Sequence, residues 1–222
     1  MKSSHSLTAA VSLLALSLTF GWLGGGCTSP SRSTAAPKAG NGIIEYRKVA
    51  REAHRSVAAA VNALEALPRS FTPPSTLPTL AGFDRALGQL ELASAKARSR
   101  AEAIIARGQS YFDEWKEQLT RATNQSPDRV ESERYSRLYD HFGRVRQKST
   151  AVREEFRPFM AKLREFRARL DGERNAMSPE LYQSQIDALI ASGRRVLQCL
   201  ETVSVALDDA EAELHATHLV KP

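Results

Sequence analysis

Cysteine is nearly absent: the chain has two in 222 residues. That excludes a disulfide framework and any site built on four thiolates. Glycine and proline are also sparse, at 12 and 10, which excludes collagen-like and low-complexity classes. No β-alternation of useful length is present, so nothing points to a sheet. There is no Gly-rich phosphate loop, no Ser nucleophile elbow and no Cys–His pair with an orienting third group. Charge of one sign is not in large excess. The 31 basic and 25 acidic residues are interspersed and leave a net +6, mild for a nucleic-acid binder. What the chain does have is 42% apolar residues, too many for a wholly disordered polymer. Its length suits one domain or two small ones.

The N-terminus carries the clearest address. Lys2 is the single charge before a 17-residue uncharged run at 7–23, which ends in Gly24, Gly25, Gly26 and Cys27. This is the layout of a secretory signal peptide with small residues before the cut. A Cys at that point resembles a bacterial lipobox, in which the thiol is acylated and becomes the new N-terminus. Leu23 stands four residues before Cys27, where the usual pattern has it three before. Thr28 follows in place of the Asp that resembles an inner-membrane retention signal in Gram-negative lipoproteins. The resemblance therefore implies an outer-membrane anchor facing the periplasm. The competing accounts are an ordinary cleaved signal and a retained span. The run is at the short limit for crossing ~30 Å of hydrocarbon, and three glycines end it. Residues 1–26 are thus expected to be a signal peptide. Residues 27–41, small, polar and Pro/Gly-containing, are expected to be a flexible tether.

From Ile43 onward, apolar residues recur at alternating steps of three and four. The first stripe runs through Ile43, Tyr46, Ala50, Ala53, Val57, Ala60, Leu64 and Leu67, and Pro68 stops it. Prolines at 73, 74 and 78 make the next stretch a crossover loop. The second stripe follows a Thr79 cap and passes from Leu80 and Phe83 to Tyr111, Trp115 and Leu119, with Ala122 continuing it. Ser94, Ala97 and Ala101 give this stripe a small-residue waist. Close helix packing is the expected reason, with a groove for another chain as the alternative. A short turn at 124–128 leads through Ser126-Pro127 into the third stripe, from Tyr135 to Leu170, with Pro158 inside it as an expected kink. Ser178-Pro179 starts the fourth, from Tyr182 to Leu214.

The near-strict 3.5-residue period is coiled-coil spacing. The second and third helices would each span roughly 65 Å at 1.5 Å per residue and fold back as a hairpin. The expectation is an all-α fold, an elongated antiparallel bundle or coiled coil of three to four long helices. It would occupy residues 42–216 with a C-terminal tail at 217–222.

The stretch Tyr111-Phe112-Asp113-Glu114-Trp115-Lys116-Glu117-Gln118-Leu119 resembles the Phe-Asp-Glu-Trp block of an uncharacterised bacterial family. Members of that family are exported, helical and classed as a domain of unknown function. The resemblance extends to residues 93–98 and to Ser136, Tyr139, Met160 and Phe166, and covers the layout from Tyr46 to Leu214. It departs at 167–176, where the family has a nearly apolar stretch and this chain is strongly charged. It implies a long helical bundle and no established activity.

Few residue groups suggest chemistry. Glu211, His215 and His218 share a helix face with metal-ligand spacing, though a polar, frayed helix end accounts for them. His54 and His141 are isolated, and Cys199 reads as a buried, inert thiol. Asp113, Glu114 and Glu117 surround Trp115, and paired carboxylates can serve glycosidic hydrolysis. Glu117 and Arg121, however, form an ordinary i, i+4 pair. The third helix is basic, with 12 basic and 8 acidic residues at 128–171, whereas 180–213 holds 2 basic and 7 acidic. Pairing between helices explains that asymmetry. Alternatively, Arg144, Arg146 and Lys148 would form a ridge for anionic head groups or polymers.

These features lead to a non-enzymatic cell-envelope lipoprotein, attached to the membrane through acylated Cys27. It would act as a coiled-coil scaffold that binds another protein or itself, with Trp115, Asp113 and Glu114 as interaction candidates. The alternative is a peripheral module for anionic lipid or envelope polymer. A hydrolase is the remote third. No cofactor, metal, nucleic acid or small-molecule substrate is expected.

Overall fold

The computed structural model describes residues 35–67, 77–123, 129–172 and 179–219. These form four helices: α1 (Ala35–Glu65), α2 (Leu77–Thr123), α3 (Arg129–Gly172) and α4 (Pro179–Leu219). The chain is all-α and its helices pack as a bundle.

Each helix forms because its apolar residues recur on one face and need another helix to cover them. The buried sets follow the expected stripes and widen them. Val49, Val61, Phe112, Met160, Ile190 and Ala206 are buried beside the heptad positions. The wider stripe is what a helix touching two neighbours requires. Ala122, expected to continue the second stripe, is exposed.

The start of α1 differs from expectation. α1 begins at Ala35, so the last seven residues of the expected 27–41 tether are helical. Pro37 falls in the first turn, where its missing N–H has no helical partner to lose. Pro158, the expected kink position, lies inside α3, which runs as one helix from Arg129 to Gly172. The buried Phe159 and Met160 hold the helix in place just past the proline. Cys27, the signal run, the turn at 124–128 and the end of the tail lie outside the described residues.

Neighbours are cyclic. α1 packs on α2 and α4, and α3 packs on α4 and more loosely on α2; among the described residues the diagonal pairs have no backbone contact. Cross-helix pairs fix every junction as antiparallel. Arg107 and Arg100 on α2 meet Glu45 and Glu52 on α1. Arg47 and Glu65 on α1 meet Glu211 and Arg194 on α4. Arg137 and Glu155 on α3 meet Glu213 and Arg195 on α4.

The core falls into three zones along the bundle. The largest surrounds Leu64, Phe83, Phe159, Leu163 and Val196, where α1 ends and α2 begins. There Gly193 lets α4 approach so closely that an added Cβ would lie 2.5 Å from Val61 Cγ2. A middle zone contains Tyr46, Ala50, Val145, Val203 and Leu207. The third, at the opposite end, contains Phe112, Trp115, Leu138 and Leu214.

Candidate functional site

Two places concentrate unusual side chains. The first is the aromatic end of the bundle. Trp115 is 4% exposed and stacks on Phe112 at 6.1 Å and 18°. The edge of Tyr135 meets it at 5.4 Å and 87°. These offset and edge contacts suit the ring quadrupoles. The Arg134 guanidinium lies over the indole at 5.9 Å and reaches Glu131 at 3.6 Å. Burial pushes the Tyr111 phenol up to about 12, against a smaller downward pull from Arg134. Its buried hydroxyl has no hydrogen-bond partner among the described residues.

The second place is the α2–α3 seam. Its polar rungs run in antiparallel register. Arg146 donates to Gln109 at 3.0 Å, Arg153 approaches Glu102 at 4.0 Å, and Arg164 donates to Glu91 at 2.6 Å. Arg167 pairs with Asp84. Behind these rungs the small-residue waist does not close. Ser94, Ala97 and Ala101 line a half-open cavity of about 140 Å³. Close packing was the expectation. Ser149, Val152 and Phe156 on α3 line the same space and leave the gap unfilled.

A second cavity, of about 670 Å³, continues toward the aromatic end and is lined by Gly108, Phe112, Phe142 and Leu207 among others. The two share Tyr46 and Ile105 as lining residues. Tyr46 is buried, its hydroxyl donates to Ser149 Oγ at 2.7 Å, and burial raises its ionisation.

The sequence candidates are not brought together. Trp115 is interior, as its heptad phase indicates, and so is not presented as a surface anchor. Asp113 is exposed and accepts from Gln109 at 2.9 Å. Glu114 is exposed at the rim of the larger cavity. Glu117 pairs with Arg121 at 3.0 Å as expected. Arg144, Arg146 and Lys148 do not share one ridge. Arg146 turns to α2, over the Phe142 ring at 5.7 Å. Lys148 acts electrostatically on Cys199 of α4, and Arg144 on its neighbour His141. A helix places positions 144 and 146 about 200° apart, so a single face cannot hold all three.

Glu211 of the metal-spaced set is drawn to α1. A hydrogen bond from Arg47 at 2.8 Å lowers its carboxyl pKa. Among the described residues no group of three metal-ligating side chains converges. Cys199 is half-buried, and burial raises its thiol pKa.

Two residues escaped the sequence reasoning. Arg98 on α2 and Arg157 on α3 are exposed and both line the mouth of the smaller cavity. They lie on the rung between Glu102–Arg153 and Glu91–Arg164. Their pairing follows only from the register of the neighbouring rungs, which sets 98 opposite 157. Neither a family model, nor a curated protein, nor a solved structure matches the chain.

Proposed function

We propose that the chain is a non-enzymatic module of the cell envelope. Its signal peptide, residues 1–26, is removed, and acylated Cys27 holds the protein at a membrane. The bundle serves as a rigid scaffold that binds another envelope protein or a second copy of itself. The observation that carries this reading is the pair of uninterrupted antiparallel helices α2 and α3, of 47 and 44 residues. At 1.5 Å per residue they give a strut of roughly 65 Å. Interhelical ion pairs along its junctions stiffen and register it.

Mass spectrometry of the native protein tests the anchor. The expected species lacks residues 1–26 and carries acyl chains on Cys27, and Cys27→Ala releases the protein to a soluble fraction. An unmodified N-terminus elsewhere defeats the anchor. Crosslinking in the intact envelope tests the scaffold. A defined adduct of fixed stoichiometry supports it, and recovery of the uncrosslinked monomer alone defeats it.

A second reading is favoured by the basic balance of the third helix, 12 basic against 8 acidic residues at 128–171. It is binding of anionic lipid or envelope polymer through that helix. Sedimentation with anionic vesicles across a salt series tests it, because such binding weakens as salt screens the charges.

A further inference from the structure

We propose that the cleft between α2 and α3 binds a single-chain anionic amphiphile, its acyl chain in the apolar space beside Tyr46 and its head group on Arg98 and Arg157.

The head-group position follows from the seam. Arg146, Arg153 and Arg164 on α3 each meet a carbonyl or carboxylate oxygen on α2. The register of these rungs sets position 98 opposite 157, and the exposed Arg98 and Arg157 both line the cavity. Facing like charges destabilise a helix pair where opposite charges would stabilise it. Among the described residues neither arginine has a carboxylate partner. An anion at the mouth would satisfy both guanidinium groups, and two arginines offer the donor geometry suited to a carboxylate or phosphate.

The chain position follows from the cavity wall. Its hydroxyls are already committed. Ser94 donates to Glu91 O and Ser56 to Glu52 O. Tyr46 donates to Ser149, which donates to Val145 O. The carbonyls of a peptide backbone laid in this space would find no hydroxyl donor left to them and would pay the desolvation penalty. A hydrocarbon chain needs none. The larger cavity, about 670 Å³, is of ligand size, and the smaller one lies next to it, with Tyr46 and Ile105 lining both. From Arg98 to Phe112 along α2 is roughly 21 Å at 1.5 Å per residue, a long-chain acyl length.

This proposal takes its ligand chemistry from the anionic-lipid reading, but it places the ligand inside the bundle. Vesicle sedimentation therefore reports on that reading alone. The test here is calorimetric titration of the full chain carrying Cys27→Ser, in detergent-free buffer below micelle concentrations. The probes are palmitate, palmitoyl lysophosphatidylglycerol, hexadecanol and inorganic phosphate.

Saturable binding of one palmitate or one lysophospholipid per chain is expected, and the tighter of the two identifies a free fatty acid or a membrane lipid as the source. The double variant Arg98→Gln/Arg157→Gln should weaken the charged amphiphiles about tenfold or more, the loss of a charge-assisted pair, and leave hexadecanol unchanged. It should also melt higher than wild type when unliganded, because the like-charge rung is gone. Ala97→Leu, which fills the waist, should weaken all three amphiphiles. The proposal falls if neither charged amphiphile saturates, if the arginine variant binds them as wild type does, or if phosphate alone binds as tightly as they do.

Discussion

The phenol of Tyr46 on α1 donates a 2.7 Å hydrogen bond to Ser149 on α3, across the diagonal of the bundle. The two backbones do not touch, so a long aromatic side chain makes the connection. Ser149 passes the bond on to Val145 O at 2.6 Å. The two substitutions at this brace should differ. Tyr46→Phe leaves Ser149 bonded to Val145 and should cost about 1 kcal/mol. Ser149→Ala strands the buried phenol and should cost about 1–3 kcal/mol. Denaturant unfolding of both variants decides it, and the reverse order would show that the brace is not what holds Tyr46.

Gly193 is a place where a methyl group cannot enter. Val61 Cγ2 would be 2.5 Å away and Phe159 Cζ 3.1 Å, and both residues lie in the closed core. Gly193→Ala should therefore destabilise by about 1–3 kcal/mol, the ordinary cost of overpacking. Gly143 on α3 has nothing within 4 Å of the same added atom. Gly143→Ala should stabilise by roughly 0.5–1 kcal/mol through backbone entropy. The pair of melting curves checks both signs.

Trp115 sits among Phe112, Leu138 and Leu214. Trp115→Ala should cost roughly 3–5 kcal/mol. In a Trp22→Phe background, Trp115 emission should be blue-shifted and poorly quenched by acrylamide. Red-shifted, freely quenched emission with unchanged melting would place the indole at the surface.

Alkaline stability should report on the aromatic end. The Tyr111 phenol is raised from 10.0 to about 12 in the fold, chiefly by burial. The folded state thus keeps a proton that the unfolded state gives up first. The stabilisation is complete below pH 10 and is lost as pH rises toward 12. Absorbance titration should show late-ionising phenols, Tyr111 among them with Tyr46, Tyr135 and Tyr182, and Tyr111→Phe should remove one late step and part of the alkaline loss of stability.

The helices were legible because burial needs periodicity. Leu64, Phe159 and Leu200 sit where the heptad count puts them, and Trp115 faces inward by the same count. The start of α1 was not, because Pro37 and Gly40 read as tether. The packing of buried Tyr46 and Val49 on the neighbouring helices outweighs those local preferences. The waist was half legible. Ser94, Ala97 and Ala101 are plain in the sequence, but whether small residues close a gap or leave one depends on the facing helix. Here Ser149, Val152 and Phe156 of α3 line that space without filling it. The rung of Arg98 and Arg157 depends on register between helices, which a stripe read along one helix at a time does not contain.

The α1–α4 junction has a topological consequence. Ile43 near the start of α1 packs in the same cluster as Leu214 near the end of α4, so the first and last helices meet at their free ends. The four helices therefore form a closed ring of neighbours, and which junction lacks a covalent connection is an accident of where synthesis starts. A circular permutant joining 219 to 35 through a short linker and opened at 124–128 would keep all four antiparallel junctions. It would begin with α3 and end with α2, so the loosely packed α2–α3 seam would become the one held by side chains alone.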